Sequence, residues 1–180
     1  MASAFTHIAV PVSIFLGAGR KKISLRLLLL GFFLSIVPDL DSLGFKMGVP
    51  YESQWGHRGF THSILFAAVI ALLLLPFERF FETKRRALAV TAFVSMASHG
   101  ILDALTNGGL GVAFFWPFSQ ERYFFPWHNI KVSPLSPKLF FSRWGLEILQ
   151  SEFVYVWLPC LFVGFLFFLL RRFFVGTKRI

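Results

Sequence analysis

The chain has 180 residues, of which 56% are hydrophobic, 18% aromatic and 15% charged, and its mean hydropathy is +0.66. Soluble domains carry about 25% charged residues, so this composition excludes a disordered segment and argues against an ordinary soluble domain. It fits a polytopic membrane protein. The single cysteine, Cys160, also excludes an internal disulfide and a Cys-x-x-Cys metal motif.

Five mainly apolar stretches approach the roughly 20 residues that cross a bilayer as a helix. In chain order they are residues 2–19, 23–41, 60–77, 87–105 and 153–170. The first has basic residues after its apolar run, the reverse of a cleavable signal peptide, so we expect it to be retained. The second is short between its charges, which favours a short or tilted helix. The predicted fold class is all-α: a polytopic membrane helix bundle of about five membrane segments, forming a single domain over residues 1–180.

The net charge of +9 indicates orientation rather than nucleic-acid binding, because the basic residues lie in short clusters that flank the apolar segments. The clusters are Arg20, Lys21, Lys22 and Arg26, then Arg79, Lys84, Arg85 and Arg86, then Arg171, Arg172, Lys178 and Arg179. Such clusters face the cytoplasm, and five spans with the N-terminus outside and the C-terminus cytoplasmic place all three there. Residues 106–152 then form an outer-side connection, apolar enough to lie on the membrane surface.

Ionisable side chains collect in one layer of this predicted bundle. At a rise of 1.5 Å per helical residue, His7, Asp39 and His99 lie about 20 Å along their helices from the cytoplasmic basic residues. His62 and Asp103 lie about 25 Å from them. Asp41 and His57 follow just beyond this layer. Ionisable groups at such depth are costly and normally face the bundle interior with partners.

This layer predicts a metal site. All three aspartates of the chain lie in the layer or just beyond it, and carboxylates buried beside only one basic residue, Arg58, require more positive charge. A mixed His/Asp shell suits Zn²⁺, with Mn²⁺ or Fe²⁺ as alternatives, and the number of candidates allows one or two ions. The alternatives are a hydrogen-bonding bundle histidine for His7 and an interhelical hydrogen-bonded pair for His99 with Asp103.

Three motifs resemble those of the YdjM-type family of predicted membrane-bound metal-dependent hydrolases. They are Pro38-Asp39-Leu40-Asp41, His57-Arg58-Gly59-Phe60-Thr61-His62-Ser63 and Ser98-His99-Gly100-Ile101-Leu102-Asp103, similar to PDxD, HRGxTHS and SHxxLD. Thr6-His7 is similar to the N-terminal histidine of that family, and the resemblance spans roughly residues 6–130. It implies metal ligation by His7, Asp39, Asp41, His57, His62, His99 and Asp103, without dividing them between ions.

The chemistry expected from this set is hydrolysis. A divalent ion lowers the pKa of bound water and polarises a phosphoryl or acyl oxygen, and Asp39 or Asp103, if not fully engaged by metal, would take the proton. Arg58 is expected to bind a phosphate or carboxylate oxygen of the substrate; its alternative role is to pair with Asp39 or Asp41. His128, on the outer connection, is a candidate lid ligand, substrate contact or interfacial residue.

Thr61, Ser63 and Thr106 are candidates for orienting the ligands, with helix capping as the alternative for Thr61 and Thr106. The predicted partners are the lipid bilayer and a lipid or lipid-like substrate in an inner membrane, with the site toward the outer face and no nucleic acid. The competing functions are proton or metal transport and a non-catalytic, metal-stabilised membrane scaffold.

Overall fold

The computed structural model describes residues 1–134 and 136–176, and within them it contains helices and no β-strand. The α-helices are α1 (Ala4–His7), α2 (Ala9–Ala18), α3 (Leu25–Leu34), α4 (Ile64–Leu73), α5 (Arg85–Ala104), α6 (Pro137–Phe140), α7 (Arg143–Glu152) and α8 (Leu158–Gly176). Short 3₁₀ helices follow α3 at Val37–Met47, precede α4 at Phe60–His62 and follow it at Leu75–Phe77. A π-helical turn, Phe153–Trp157, joins α7 to α8. The all-helical prediction is confirmed for these residues.

Hydroxyl caps and prolines limit the helices on either side of the site. The side chain of Ser24 accepts from the backbone N–H of Leu27 at the start of α3, and Ser63 accepts from Phe66 at the start of α4. Pro38 lies in the first turn of the 3₁₀ helix after α3, where its missing N–H costs no helical hydrogen bond. The chain therefore leaves regular helix just before the Pro38-Asp39-Leu40-Asp41 motif.

Helices α3 and α5 run antiparallel to α2, α4 and α8. Leu27 packs with Leu88 near the starts of α3 and α5. Near the other ends of these two helices, His99 Nδ1 is within hydrogen-bonding distance of the carbonyl oxygen of Ser35. In α2 and α8, which are parallel, glycines allow close contact: a Cβ on Gly164 would lie 2.9 Å from the carbonyl oxygen of Ser13. The five elements form one bundle whose two ends are chemically different.

Three helical stretches are long and apolar enough to cross a membrane: Leu25–Met47, Arg85–Ala104 and Arg143–Phe174. The apolar helices Ala4–Ala18 and Ile64–Leu73 are shorter than a bilayer span. Only 11% of the most apolar stretch of Arg143–Phe174 is buried in the protein, as expected for a helix that faces hydrocarbon. A membrane helical protein is therefore supported, whereas five spans and their orientation stay predictions.

The basic clusters meet at one end of the bundle. Arg26 donates to the carbonyl of Phe80 and forms an ion pair with Glu82. The hydroxyl of Thr83 donates to the backbone carbonyl of Lys22, and Arg171 donates to the carbonyl of Ala18. Lys178 and Arg179 of the third cluster lie outside the described residues. This end is opposite to the His/Asp layer, because Arg85 begins α5 and Asp103 is one residue from its end.

Residues 106–152 form a connection that differs from the prediction in its last part. Its first part folds back on the end of α5, where Asn107 donates to Ile130 and Phe125 donates to Ala104. Residues 143–152, predicted as part of the connection that precedes the last span, are helical and continue through the π-turn into α8. Ser142 caps this helix, because its hydroxyl accepts from the backbone N–H of Trp144.

Candidate metal centre

Four buried side chains from three elements form the centre of the candidate site. Asp39 comes from the 3₁₀ helix after α3, His62 from the 3₁₀ turn before α4, and His99 with Asp103 from α5. One ligand atom from each of the four lies within 4.8 Å of the others. His99 and Asp103 share a helix face because they are four residues apart.

The imidazole of His99 is oriented by the backbone of α3. Its Nδ1 lies 2.7 Å from the carbonyl oxygen of Ser35, which can only accept, so Nδ1 carries the proton. The Nε2 atom is then left with a lone pair and lies 3.2 Å from Asp39 Oδ1 and 3.1 Å from His62 Nε2. An imidazole fixed in this way is the usual form of a metal-binding histidine.

His62 is oriented by a second group of polar residues: Asp41, His57 and Thr61. Asp41 Oδ2 lies 3.2 Å from His62 Nδ1 and accepts from Thr61 at 2.6 Å, while Asp41 Oδ1 lies 2.7 Å from His57 Nδ1. With Nδ1 occupied, His62 Nε2 points to Asp103, at 3.6 Å from Oδ2. Asp41, His57 and His62 are close enough to hold an ion themselves, so the structure presents two adjoining groups that share His62.

Arg58 is fully buried and engaged by the protein. Its Nε donates to Asp103 at 3.0 Å, Nη1 to the carbonyls of Gly108 and Leu110, and Nη2 to Thr106. The carboxylate that Arg58 pairs with is thus Asp103, rather than Asp39 or Asp41. These contacts favour the role of Arg58 as the partner of a carboxylate. Substrate binding by Arg58 stays a prediction.

His7 extends the centre from the N-terminal segment. Its ring stacks on that of His99 with centroids 3.7 Å apart, and its Nε2 lies 3.6 Å from Asp103 Oδ1. The backbone N–H of Ala2 donates to the same oxygen of Asp103 at 2.7 Å. All seven predicted ligands therefore adjoin either Asp103 or His62, and Asp39 adjoins both histidines of the centre, His62 and His99.

The residues fit a divalent cation. Both carboxylate oxygens of Asp39 and both ring nitrogens of His7 are buried with no hydrogen-bond partner among the described residues. A buried carboxylate without donors is expensive, and of the two central carboxylates it is Asp103, rather than Asp39, that pairs with the guanidinium of Arg58. Nitrogen and oxygen donors in this mixture suit Zn²⁺ and related transition metals. A metal is the simplest partner for these atoms.

The other predicted residues have separate positions. Thr61 contacts Asp41 and His62, as expected of a ligand-orienting residue, whereas Ser63 caps α4. Thr106 is buried and binds Arg58 and the carbonyl of Asp103. His128 is exposed, with Nδ1 2.9 Å from the carbonyl of Phe125, and no described contact joins it to the centre.

Sequence reasoning missed two charged residues near the site. Arg122 donates to the carbonyls of Tyr51, Ser53 and His57, which fixes the loop before the HRGxTHS motif, and partial burial lowers the pKa of Arg122. Glu152 is fully buried against the N-terminal segment. The sequence does contain a signal for Glu152, because an acidic residue directly before the apolar run 153–170 is a candidate for a buried role. Nothing local distinguishes Arg122 from a surface arginine.

An apolar cavity of about 390 Å³ lies on another face of α5. Its lining residues are Ile64, Ala97, Ile101, Phe114, Phe115, Tyr123, Phe124 and Phe125. Ile101 is two residues from both His99 and Asp103, which turns it about 200° away from them around a helix of 3.6 residues per turn. The cavity therefore does not open onto the centre.

Comparisons with known proteins agree with this architecture. The family model of the YdjM inner membrane proteins matches residues 1–174. The Escherichia coli K12 protein described as inner membrane protein YbcI is 44% identical over 160 residues, which cover 88% of this chain and 92% of that protein. The Bacillus subtilis 168 protein YvsG, described as uncharacterized, is 31% identical over 87 residues, or 44% of this chain and 51% of that protein. No solved structure matches the chain.

The chain is an integral inner-membrane protein with a buried His/Asp cluster that is able to hold a metal ion. It belongs to the YdjM inner membrane protein family. The family resemblance and the inner-membrane location predicted from the sequence are thereby confirmed.

Proposed function

We propose that this protein is a membrane-embedded, metal-dependent hydrolase that acts on a lipid-linked phosphoester or related ester. The observation that carries this proposal is the convergence of Asp39, His62, His99 and Asp103, in which neither carboxylate oxygen of Asp39 has a hydrogen-bond partner among the described residues. These four residues would hold the ion, and His7 is placed to join them. The ion is Zn²⁺, with Mn²⁺ or Fe²⁺ as alternatives, and the group around Asp41 allows a second ion.

The two aspartates of the centre have different environments and therefore different roles. Asp103 is fixed by Arg58 and by the N–H of Ala2, which suits a permanent ligand. Asp39 accepts no hydrogen bond from the part of the chain that the structure describes, so one of its oxygens is available to accept the proton of an attacking water. A divalent ion in this centre supplies Lewis acidity and lowers the pKa of a coordinated water.

The position of the centre favours a lipid substrate on the outer leaflet. The centre lies at the end of the bundle opposite to the basic clusters, which the positive-inside rule assigns to the cytoplasm. Its most accessible ligand is Asp39, whose side chain is 9% exposed, against 0% for His62, His99 and Asp103. Exposed apolar residues, Leu40 and Leu43, follow it in the same 3₁₀ helix. A substrate with a polar group and hydrocarbon chains matches this approach.

Burial supports one competing function, a metal-stabilised scaffold. Three of the four central ligands have no exposed side-chain surface, as in closed structural sites. Transport is less well supported, since α2, α3 and α4 carry no Asp, Glu or His and α5 carries none before His99. A proton or metal pathway normally continues through the membrane as a chain of such residues.

Elemental analysis of the detergent-purified protein tests the metal centre. We expect about one or two equivalents of a transition metal, lost in Asp39→Asn and His99→Ala. The matched control is Glu82→Gln, which changes an exposed carboxylate at the opposite end of the bundle. Active protein without stoichiometric metal would refute the proposal.

A panel of lipid phosphoesters and esters, in mixed micelles with the purified holoprotein, tests catalysis. We expect turnover by wild type and Glu82→Gln and a loss of at least about 100-fold in Asp39→Asn, which keeps the size of the side chain and removes the proton acceptor. Tight metal binding without cleavage of any lipid in the panel would favour the scaffold.

A further inference from the structure

Glu152, the last residue of α7, holds the N-terminal segment of the chain. The side chain is fully buried, and its carboxylate accepts three hydrogen bonds from that segment. Ser3 donates from its backbone N–H to Oε1 at 2.5 Å and from its hydroxyl to Oε2 at 2.6 Å, and Thr6 donates its hydroxyl to Oε2 at 2.8 Å. The three donors fix residues 3 and 6 on one carboxylate.

The residues that Glu152 binds are the neighbours of two residues in the metal centre. Ser3 follows Ala2, whose N–H donates to Asp103, and Thr6 precedes His7, whose ring stacks on His99. His7 has no other anchor for its ring nitrogens, since neither has a hydrogen-bond partner among the described residues. The position of His7 thus depends on how its own segment is held.

The carboxylate is attached to a rigid support. Glu152 directly precedes the π-turn Phe153–Trp157, and Val156 in that turn is buried with Ala9 and Ile130. A π-turn inserts one residue into the helical repeat and redirects the following side chains, and such turns are frequent at functional sites. The packing of α7 and α8 therefore fixes the position of the Glu152 carboxylate, and this carboxylate fixes the position of the N-terminal segment.

We propose that Glu152 is a positioning residue of the metal centre, which holds Ser3 and Thr6 so that His7 serves as an additional ligand. The proposal rests on the proposed metal centre. It extends the functional residues beyond the three motifs, to a region after Trp144 in which the sequence matches none of them. Among the described residues the hydrogen bonds of the Glu152 side chain go to Ser3 and Thr6 and to none of the central ligands, so its effect on the centre would pass through the N-terminal segment.

Zinc affinity, measured by competition with a chromophoric chelator, tests this role in the full-length protein. Residues that orient metal ligands typically contribute 10- to 100-fold in affinity, and we expect a loss of about that size in Glu152→Gln. The control is Glu147→Gln on the same helix, where an exposed carboxylate pairs with Lys131, and its affinity should equal that of wild type.

A double-variant cycle separates positioning from general support of the fold. If Glu152 acts through His7, the variant combining Glu152→Gln with His7→Ala binds zinc no more weakly than His7→Ala alone. Multiplicative losses in the combined variant would overturn the proposal, and so would wild-type affinity in Glu152→Gln. If Glu152→Gln does not fold, Ser3→Ala with Thr6→Val removes the hydroxyl donors and takes its place in the cycle.

Amide hydrogen exchange distinguishes failure of this proposal from failure of the metal centre itself. The N–H groups of Ala2 and Ser3 are expected to exchange at least about tenfold faster in Glu152→Gln than in Glu147→Gln, with or without zinc, because local opening exposes them. Wild-type protein that binds no zinc would refute the metal centre. Unchanged exchange in Glu152→Gln would refute the positioning role alone.

Discussion

His62 shows how one side chain connects two polar groups of the site. Its Nδ1 lies within hydrogen-bonding distance of Thr61 Oγ1 and Asp41 Oδ2, at 3.0 and 3.2 Å, and its Nε2 faces the centre. Asp41 in turn is bound by His57 and by the N–H of Arg58. A carboxylate on the outer nitrogen of a histidine fixes the ring and makes the inner nitrogen more basic.

Replacement of Asp41 by Asn should therefore weaken metal binding without abolishing it. The amide keeps the size of the side chain but removes the negative charge opposite His62 Nδ1, and we expect zinc affinity to fall about 10- to 100-fold. The same chelator competition measures the change, with Glu52→Gln as the control on an exposed residue of the following loop. A complete loss of zinc would instead identify Asp41 as a direct ligand.

Arg58 is a residue whose replacement by lysine is not conservative. It lies in the left-handed region, with a φ of 64°, and its guanidinium serves Asp103, Thr106 and two loop carbonyls. An ammonium cannot reach these partners together, and each buried carbonyl left unpaired costs about 1–3 kcal/mol. We expect Arg58→Lys to lower the Tm in detergent markedly, whereas Arg26→Lys, at an exposed ion pair, should leave it within about 1 °C.

At the scale of elements, the C-terminal helix α8 is held in the bundle by its parallel contact with α2. Gly17 and Gly164 lie in this contact, where added Cβ atoms would meet Phe167 Cβ at 3.0 Å and the carbonyl oxygen of Ser13 at 2.9 Å. Small residues let membrane helices approach closely, and in lipid this packing replaces the hydrophobic effect as the source of association.

Gly164→Val should push α8 away from α2. Overpacking of this kind costs roughly 1–3 kcal/mol, and in a protein of this size each kcal/mol lowers the Tm by about 2–4 °C. Thermal unfolding in detergent measures the effect. Val163→Leu, on the neighbouring residue with 44% exposure, enlarges a lipid-facing side chain and should leave the Tm unchanged. Equal Tm values for both variants would show that the two helices do not pack as described.

At the scale of the whole molecule, the basic end and the His/Asp end define an axis of the bundle, which we predict to cross the membrane with the His/Asp end outside. Impermeant thiol labelling of intact cells tests its direction, in a Cys160→Ser background with single cysteines at two exposed positions. Met47→Cys, on the side of the metal centre and 83% exposed, should be labelled, and Lys84→Cys, in the second basic cluster, should react only after permeabilisation. The reverse pattern would place the centre at the cytoplasmic face.

Much of the site could be predicted from the sequence because its residues are rare in this composition. All three aspartates and four of the five histidines fell in one predicted layer or just beyond it, and the structure brings them together around Asp103 and His62. The division of labour among them could not be predicted, because Asp39 and Asp41 are two residues apart and have equivalent chemistry. Only the turn of the 3₁₀ helix places one in the centre and the other behind His62.

The class of protein, the apolar segments and the candidate ligands could be predicted without a structure, since each depends on composition, on hydropathy over about 20 residues or on motif spacing. Which groups are partners follows from the three-dimensional fold. It paired Arg58 with Asp103, placed Glu152 under the N-terminal segment and extended the last helix back to Arg143. These contacts join residues up to 149 positions apart, and a buried charge is satisfied by whatever the fold brings within about 3 Å rather than by its neighbours in sequence.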